Sequence, residues 1–164
     1  PALCPAAKLD SSNEARTING YNLAMPDFRF YHPIEVRYGD LDSQWHVNNA
    51  RYLVYLEQAR SRYVQEMGLV DGKELWRLPL IVGDIHIRYR SPIELGDEVI
   101  VSIAATRISG KTVTFEYEIA GKDGTPLYAT AESIMVSFDY HAKKSVPVSD
   151  DLRRRFSERE GREF

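Results

Sequence analysis

The feature that most limits the fold is a series of four apolar-alternating runs between Leu80 and Asp139, separated by turn-forming residues. They are "LIVGDIHIRYR" (Leu80–Arg90), "VIVSIAATRI" (Val99–Ile108), "TVTFEYEIA" (Thr112–Ala120) and "LYATAESIMVSFD" (Leu127–Asp139). Alternation with a period of two marks strands that bury one face. In the third run Val113, Phe115, Tyr117 and Ile119 face one way, and Thr114, Glu116 and Glu118 the other. The connectors "SPIELGDE", "SGK" and "KDGTP" carry the Pro, Gly and Asp residues of tight turns. Such turns join antiparallel neighbours, so the four runs predict a meander. An earlier alternating run, "IEVRY" (Ile34–Tyr38), predicts one more strand.

Between that strand and the meander the period changes. Tyr52, Leu53, Leu56, Ala59, Tyr63, Val64 and Met67 recur at three- and four-residue steps, as on one face of a helix. Asn48 or Asn49 is placed to cap it and Gly68 to stop it. Ser149, Asp150 and Asp151 open a closing helix, "DLRRRFSERE". One long helix with one curved antiparallel sheet is an α+β layer architecture. A single helix covers only one sheet face, so a homodimer or homotetramer is expected to cover the remaining face or edges. Residues 1–27, rich in Ala, Ser, Asn and Pro, read as a mobile N-terminal arm, and residues 28–164 as one domain.

The chain's 164 residues suffice for one core. Its net charge of −3 argues against a nucleic-acid partner, since no basic field holds a polyanion. The single cysteine, Cys4, excludes an internal disulfide and points to a reducing, cytoplasmic compartment. No run has membrane-spanning length, so no membrane partner is expected. No metal is expected: Asp84 and His86 share a strand face without a third ligand nearby, and the four histidines are scattered.

The segment "RYGDLDSQWHVNNARYLVYLEQAR" (Arg37–Arg60) gathers two aspartates, a tryptophan, a histidine and two asparagines directly before the long helix. A helix N-terminus offers free N–H donors and about half a positive charge. An ionised aspartate beside it can deprotonate water or attack a carbonyl while those donors hold the developing oxyanion. Judged by residue type alone, Asp40 and Asp42 fit turn capping at least as well. His46 fits either a hydrogen-bonded core position or a role orienting substrate or water, and Trp45 an acyl pocket or a subunit interface. Glu57 fits a buried or interfacial hydrogen-bonding partner better than a base.

Over residues 33–139 the chain resembles the hotdog-fold acyl-CoA thioesterases of the 4-hydroxybenzoyl-CoA thioesterase-like branch. The resemblance lies in the D-x-D of Tyr38-Gly39-Asp40-Leu41-Asp42, the Asn-rich helix start, "IHIRYRSPIELGDEV", and the hairpin "SGKTVTFEYEI". It implies a hotdog fold, a curved antiparallel sheet wrapped around one central helix, and hydrolysis of an acyl-CoA to free acid and CoA. Asp42 would be the catalytic carboxylate, Asp40 would stay structural, and the backbone N–H near Asn49 would hold the thioester oxygen. The D-x-N-x-H pattern of plant acyl-carrier-protein thioesterases falls on Asp42, Gln44 and His46, with an amide longer by one methylene at Gln44. Gln44 and Trp45 are then candidate substrate contacts; Arg88, Arg90 and Lys111 are candidates for the CoA phosphates, or else solvated surface charges. No cofactor is implied, CoA being part of the substrate. The alternatives are a non-catalytic acyl-CoA-binding domain and an enoyl or hydroxyacyl thioester hydratase or dehydratase. Those dehydrating enzymes place a histidine five residues after their aspartate, behind a proline; His46 follows Asp42 by four with none.

Overall fold

The computed structural model describes residues 26–70 and 74–164, together with the backbone of 17–18 and 21–22. Most of the expected N-terminal arm lies outside the described residues; within it, β1 (Thr17–Ile18) and β2 (Tyr21–Asn22) pair antiparallel. The main elements are β3 (Tyr31–Glu35), α1 (Asn49–Glu66), β4 (Leu80–Tyr89), β5 (Glu98–Ser109), β6 (Thr112–Gly121), β7 (Leu127–Asp139), β8 (Lys144–Ser145) and α2 (Asp150–Glu160). The sheet order is β3-β5-β6-β7-β4, all antiparallel, with β8 added beside β7. This is the hotdog arrangement, with α1 against the concave face.

Two expectations need correction. The first strand runs over Tyr31–Glu35 instead of Ile34–Tyr38, and Tyr38–Asp40 forms a 3-10 turn. Pro33 lies inside that strand, where a sheet edge tolerates a residue without an N–H. The meander holds for β5, β6 and β7 but excludes β4, which pairs with β7 at the opposite end of the sheet from β3. Residues 90–97 therefore cross the end of the sheet instead of turning a hairpin.

Asn48 caps α1, its side-chain oxygen accepting the Ala50 N–H at 2.9 Å, and Gly68 follows the last turn at φ +66°. Buried positions on α1 are Tyr52, Tyr55, Leu56, Ala59, Arg60, Tyr63 and Val64, whereas Leu53 is half-exposed. The backbone of α1 runs closest to β5 and β3. Tyr63 sits among Phe30, Phe115 and Phe156 with ring centroids 5.6, 5.7 and 6.3 Å away.

α2 starts at Ser149, whose hydroxyl accepts the Leu152 N–H at 3.2 Å. At its other end the buried Glu160 accepts the Tyr63 hydroxyl and the Ala105 N–H, and Arg162 donates to the Ala105 carbonyl. Ala105 adjoins a register shift between β5 and β6, so α2 satisfies backbone groups that the bulge takes out of the ladder.

Candidate active site

The site loop begins where the 3-10 turn ends. Residues 40–42 and 46–48 lie antiparallel: the Asp42 N–H donates to the His46 carbonyl at 2.9 Å, the Asn48 N–H donates to the Asp40 carbonyl at 2.8 Å, and Leu41 bridges Val47. The crossing segment holds this loop from outside. The Val47 N–H donates to the Ile93 carbonyl at 2.8 Å, and His46 bridges Glu94. Within the crossing, Asp97 accepts the Glu94 N–H at 2.9 Å and Gly96 takes φ +96°, a conformation that glycine adopts without steric cost.

The two aspartates have different surroundings. Asp40 is buried and fully engaged: one oxygen accepts the Arg37 N–H at 3.1 Å and the Tyr55 hydroxyl at 3.0 Å, and the other lies 3.4 Å from Arg51 Nε. Asp42 is half-buried, and one of its oxygens accepts the Gln44 N–H at 2.7 Å. Its second oxygen has no hydrogen-bond partner among the described residues.

The first helical donors are divided similarly. The Ala50 N–H goes to the Asn48 side chain and the Arg51 N–H to the Asn48 carbonyl, at 2.9 and 2.8 Å. Among the described residues the Asn49 N–H has no acceptor. On the far side the Tyr89 hydroxyl donates to the Asn49 carbonyl at 3.2 Å, and the Tyr89 ring meets Tyr52 edge-on at 5.0 Å. Burial pushes the Tyr52 and Tyr128 phenols up to about 12, with Asp97 beside both adding to the rise. Burial and the Asp40 carboxylate also push Tyr55 up. These three tyrosines are therefore neutral hydrogen-bonding groups at physiological pH.

The remaining candidates sit at different distances from this centre. His46 is half-buried, with Nε2 4.0 Å from Glu94 Oε1. Gln44 is exposed, and Trp45 is 66% exposed, held at φ +65° with its ring edge-on to Tyr38 at 6.3 Å. Arg90 follows Tyr89 at the loop's end of the sheet, its N–H donating to the Tyr128 carbonyl at 2.8 Å. Arg88, opposite Thr130, alternates to the other face from Tyr89. Lys111 lies at the far end of the sheet, its Nζ 3.3 Å from Ser145, so one chain does not bring it to the loop. Ten strand residues, about 33 Å, separate the two ends. Among the described residues no group of three or more His, Cys, Asp or Glu side chains is placed to hold a metal. Sequence reasoning passed over Tyr55, Tyr89 and Arg51, which hold Asp40 and the helix start; Tyr55 had a signal, lying three residues after Tyr52 and four before Ala59 on the apolar stripe.

The profile of the thioesterase-like superfamily matches residues 36–156. Over 125 residues the chain is 28% identical to the long-chain acyl-CoA thioesterase FadM of Escherichia coli (strain K12), spanning 76% of this chain and 95% of that protein. It is 30% identical over 97 residues to the acyl-CoA thioesterase YbgC of Haemophilus influenzae, spanning 58% of this chain and 71% of that protein. A crystal structure of a thioesterase from Thermus thermophilus, complexed with coenzyme A and Zn, superposes with a TM-score of 0.73 at 30% identity, covering 84% of this chain and 99% of that one. The matched span holds the site loop, all of α1, the strands β4 to β8 and the first half of α2, and the chain belongs to the thioesterase-like superfamily.

Proposed function

We propose that the protein hydrolyses acyl-CoA thioesters to free acid and CoA at the loop formed by residues 40–49. The observation that carries the site is a pair of unused groups: one Asp42 carboxylate oxygen and the Asn49 N–H stay free among the described residues while their neighbours are bonded. Asp42 either takes the proton of the attacking water or attacks the carbonyl itself, and both routes use its ionised form. The Asn49 N–H, at the positive end of α1, holds the oxygen that gains charge. When the C–S bond breaks, the CoA thiolate leaves and takes up a proton. His46 orients substrate or water, and Gln44 and Trp45 contact the substrate at the mouth. No cofactor enters the reaction, and the single cysteine is in keeping with a cytoplasmic enzyme.

The working unit is a homodimer or a tetramer built from it. β4 is an edge strand of ten residues with its outer side unpaired among the described residues. Two copies joined through antiparallel β4 strands reverse direction. Each chain's Lys111 end then lies on the same side as the other's loop, so Lys111 and Arg90 approach one CoA from two subunits, with Arg88 on the outer face.

A panel of acyl-CoAs with a thiol-trapping dye tests the function. Asp42→Asn is expected to lower kcat by roughly 10²–10⁴-fold with an unchanged unfolding midpoint. Wild-type turnover by that variant overturns the assignment, and tight acyl-CoA binding without thiol release by the natural protein points to a sensing domain instead.

A further inference from the structure

The Asn49 N–H sits at the first residue of α1, and a helix start is the part of a helix held by fewest backbone bonds. The groups around it are engaged. The Asn48 N–H meets the Asp40 carbonyl and the Arg51 N–H the Asn48 carbonyl, both at 2.8 Å, while the Ala50 N–H meets the Asn48 side chain at 2.9 Å. These three bonds join loop and helix to each other, and none of them ties either to the sheet. Asn49 itself is exposed, and its side chain has no hydrogen-bond partner among the described residues.

One bond reaches this residue from the sheet. The Tyr89 hydroxyl donates to the Asn49 carbonyl at 3.2 Å, the only side-chain hydrogen bond to Asn49 from outside α1 among the described residues. A carbonyl oxygen has two lone pairs, so the phenol binds it without displacing the helical N–H of the next turn.

Tyr89 is in turn well fixed. It is the last residue of β4 and lies opposite Ala129 of β7. Just beyond it the Arg90 and Ser91 N–H groups both donate to the Tyr128 carbonyl, at 2.8 and 3.3 Å. The Tyr89 ring stands edge-on to the buried Tyr52 at 5.0 Å. The residue is 49% exposed, so water could satisfy its hydroxyl at little net cost to stability. Stability alone therefore gives no reason for that hydroxyl to meet the helix start.

We propose that Tyr89 is a positioning residue for hydrolysis: it ties the Asn49 carbonyl to the rigid end of β4 and so fixes the direction of the Asn49 N–H that receives the oxyanion. The inference rests on the hydrolysis proposed above. The bond lies within one chain and is independent of the assembly. A donor aimed in advance at the developing charge needs no reorganisation during the reaction. A misplacement of about 1 Å can cost roughly 10²-fold in rate. The loss falls on kcat and spares KM, because the oxygen carries its full charge only after attack.

Two variants separate the hydroxyl from the ring. Tyr89→Phe removes the hydroxyl and keeps the ring on Tyr52, whereas Tyr89→Ala removes both. Thiol release is measured over a range of acyl-CoA concentrations, alongside urea midpoints. Tyr89→Phe is expected to lower kcat by about tenfold, with KM within about twofold of the natural value and an unchanged midpoint. Tyr89→Ala is expected to show the same loss of kcat together with a lower midpoint, from the lost ring contact. The Phe variant decides the matter even where the Ala variant fails to fold. A natural kcat in Tyr89→Phe, or a defect confined to KM or to the midpoint, overturns the positioning role while leaving hydrolysis standing. Absence of thiol release from the natural protein overturns the hydrolysis and this role with it.

Discussion

Asp40 and Asp42 are two residues apart, and their replacement is expected to have opposite signatures. In Asp40→Ala the Tyr55 hydroxyl and the Arg37 N–H lose their acceptor together, with Tyr55 fully buried. A buried polar group left unsatisfied costs about 1–3 kcal/mol. The Arg51 contact at 3.4 Å adds under about 1 kcal/mol, because that guanidinium is half-exposed and screened. The sum is about 3 kcal/mol, a drop of roughly 1–3 M in urea midpoint for the usual slopes of small domains. The assay is urea unfolding followed by tyrosine and tryptophan fluorescence, with thiol release measured on the fraction that stays folded. Tyr55→Phe removes the donor and leaves the carboxylate its other partners, so it should cost less, and the double variant should cost less than the two singles together. An Asp40→Ala protein within about 0.5 kcal/mol of the natural one, a change typical of surface sites, would refute the view that this carboxylate holds the loop to the helix.

Burial holds the His32 imidazole below its ordinary pKa, with Arg62 adding to the effect and Glu66 opposing it. The unfolded chain then takes up the proton first, so this contribution is intact above the ordinary histidine range and is lost as pH falls through it. Thermal midpoints between about pH 7.5 and 5 should fall more steeply for the natural protein than for His32→Gln, and parallel curves would contradict this. Trp45→Gly removes a left-handed conformation that costs a bulky residue about 1–2 kcal/mol and little buried surface, the ring being 66% exposed. It should leave stability equal or slightly higher while raising KM for acyl-CoA; an unchanged KM would remove Trp45 from the substrate site.

The strands β5, β6 and β7 and both helices were legible in the sequence because period and caps are local signals. Val113, Phe115, Tyr117 and Ile119 are all buried as their alternation predicts, and Ser149 caps α2. The neighbour of β4 was not legible. "SPIELGDE" contains a real turn, with Asp97 on the Glu94 N–H and Gly96 at positive φ, but that turn sits inside a crossing instead of between sheet neighbours. Turn chemistry specifies local backbone shape, whereas pairing β4 with β7 is decided by contacts distant in the chain. Burial of Arg60 escaped notice for a similar reason: its stripe position was visible, but the hydroxyls that receive it come from β6 and β7.

The different fates of the two aspartates follow from the same mix of local and distant causes. In an extended chain, residues two apart share a face, and Asp40 and Asp42 would be interchangeable. The 3-10 turn at Tyr38–Asp40 removes that equivalence. It puts Asp40 at the end of a tight turn, where the Arg37 N–H reaches back to its carboxylate and Tyr55 rises from α1 to meet it. Leu41 then resumes an extended conformation and bridges Val47, which leaves Asp42 on the short two-stranded piece that the crossing segment presses against the start of α1. One carboxylate is consumed in holding the loop, and the other keeps an oxygen available beside a helix whose first N–H has no acceptor among the described residues. Asp40 is therefore not expected to replace Asp42 in the proposed hydrolysis when Asp42 is changed to Asn, because both of its carboxylate oxygens already face donors that hold the loop in place.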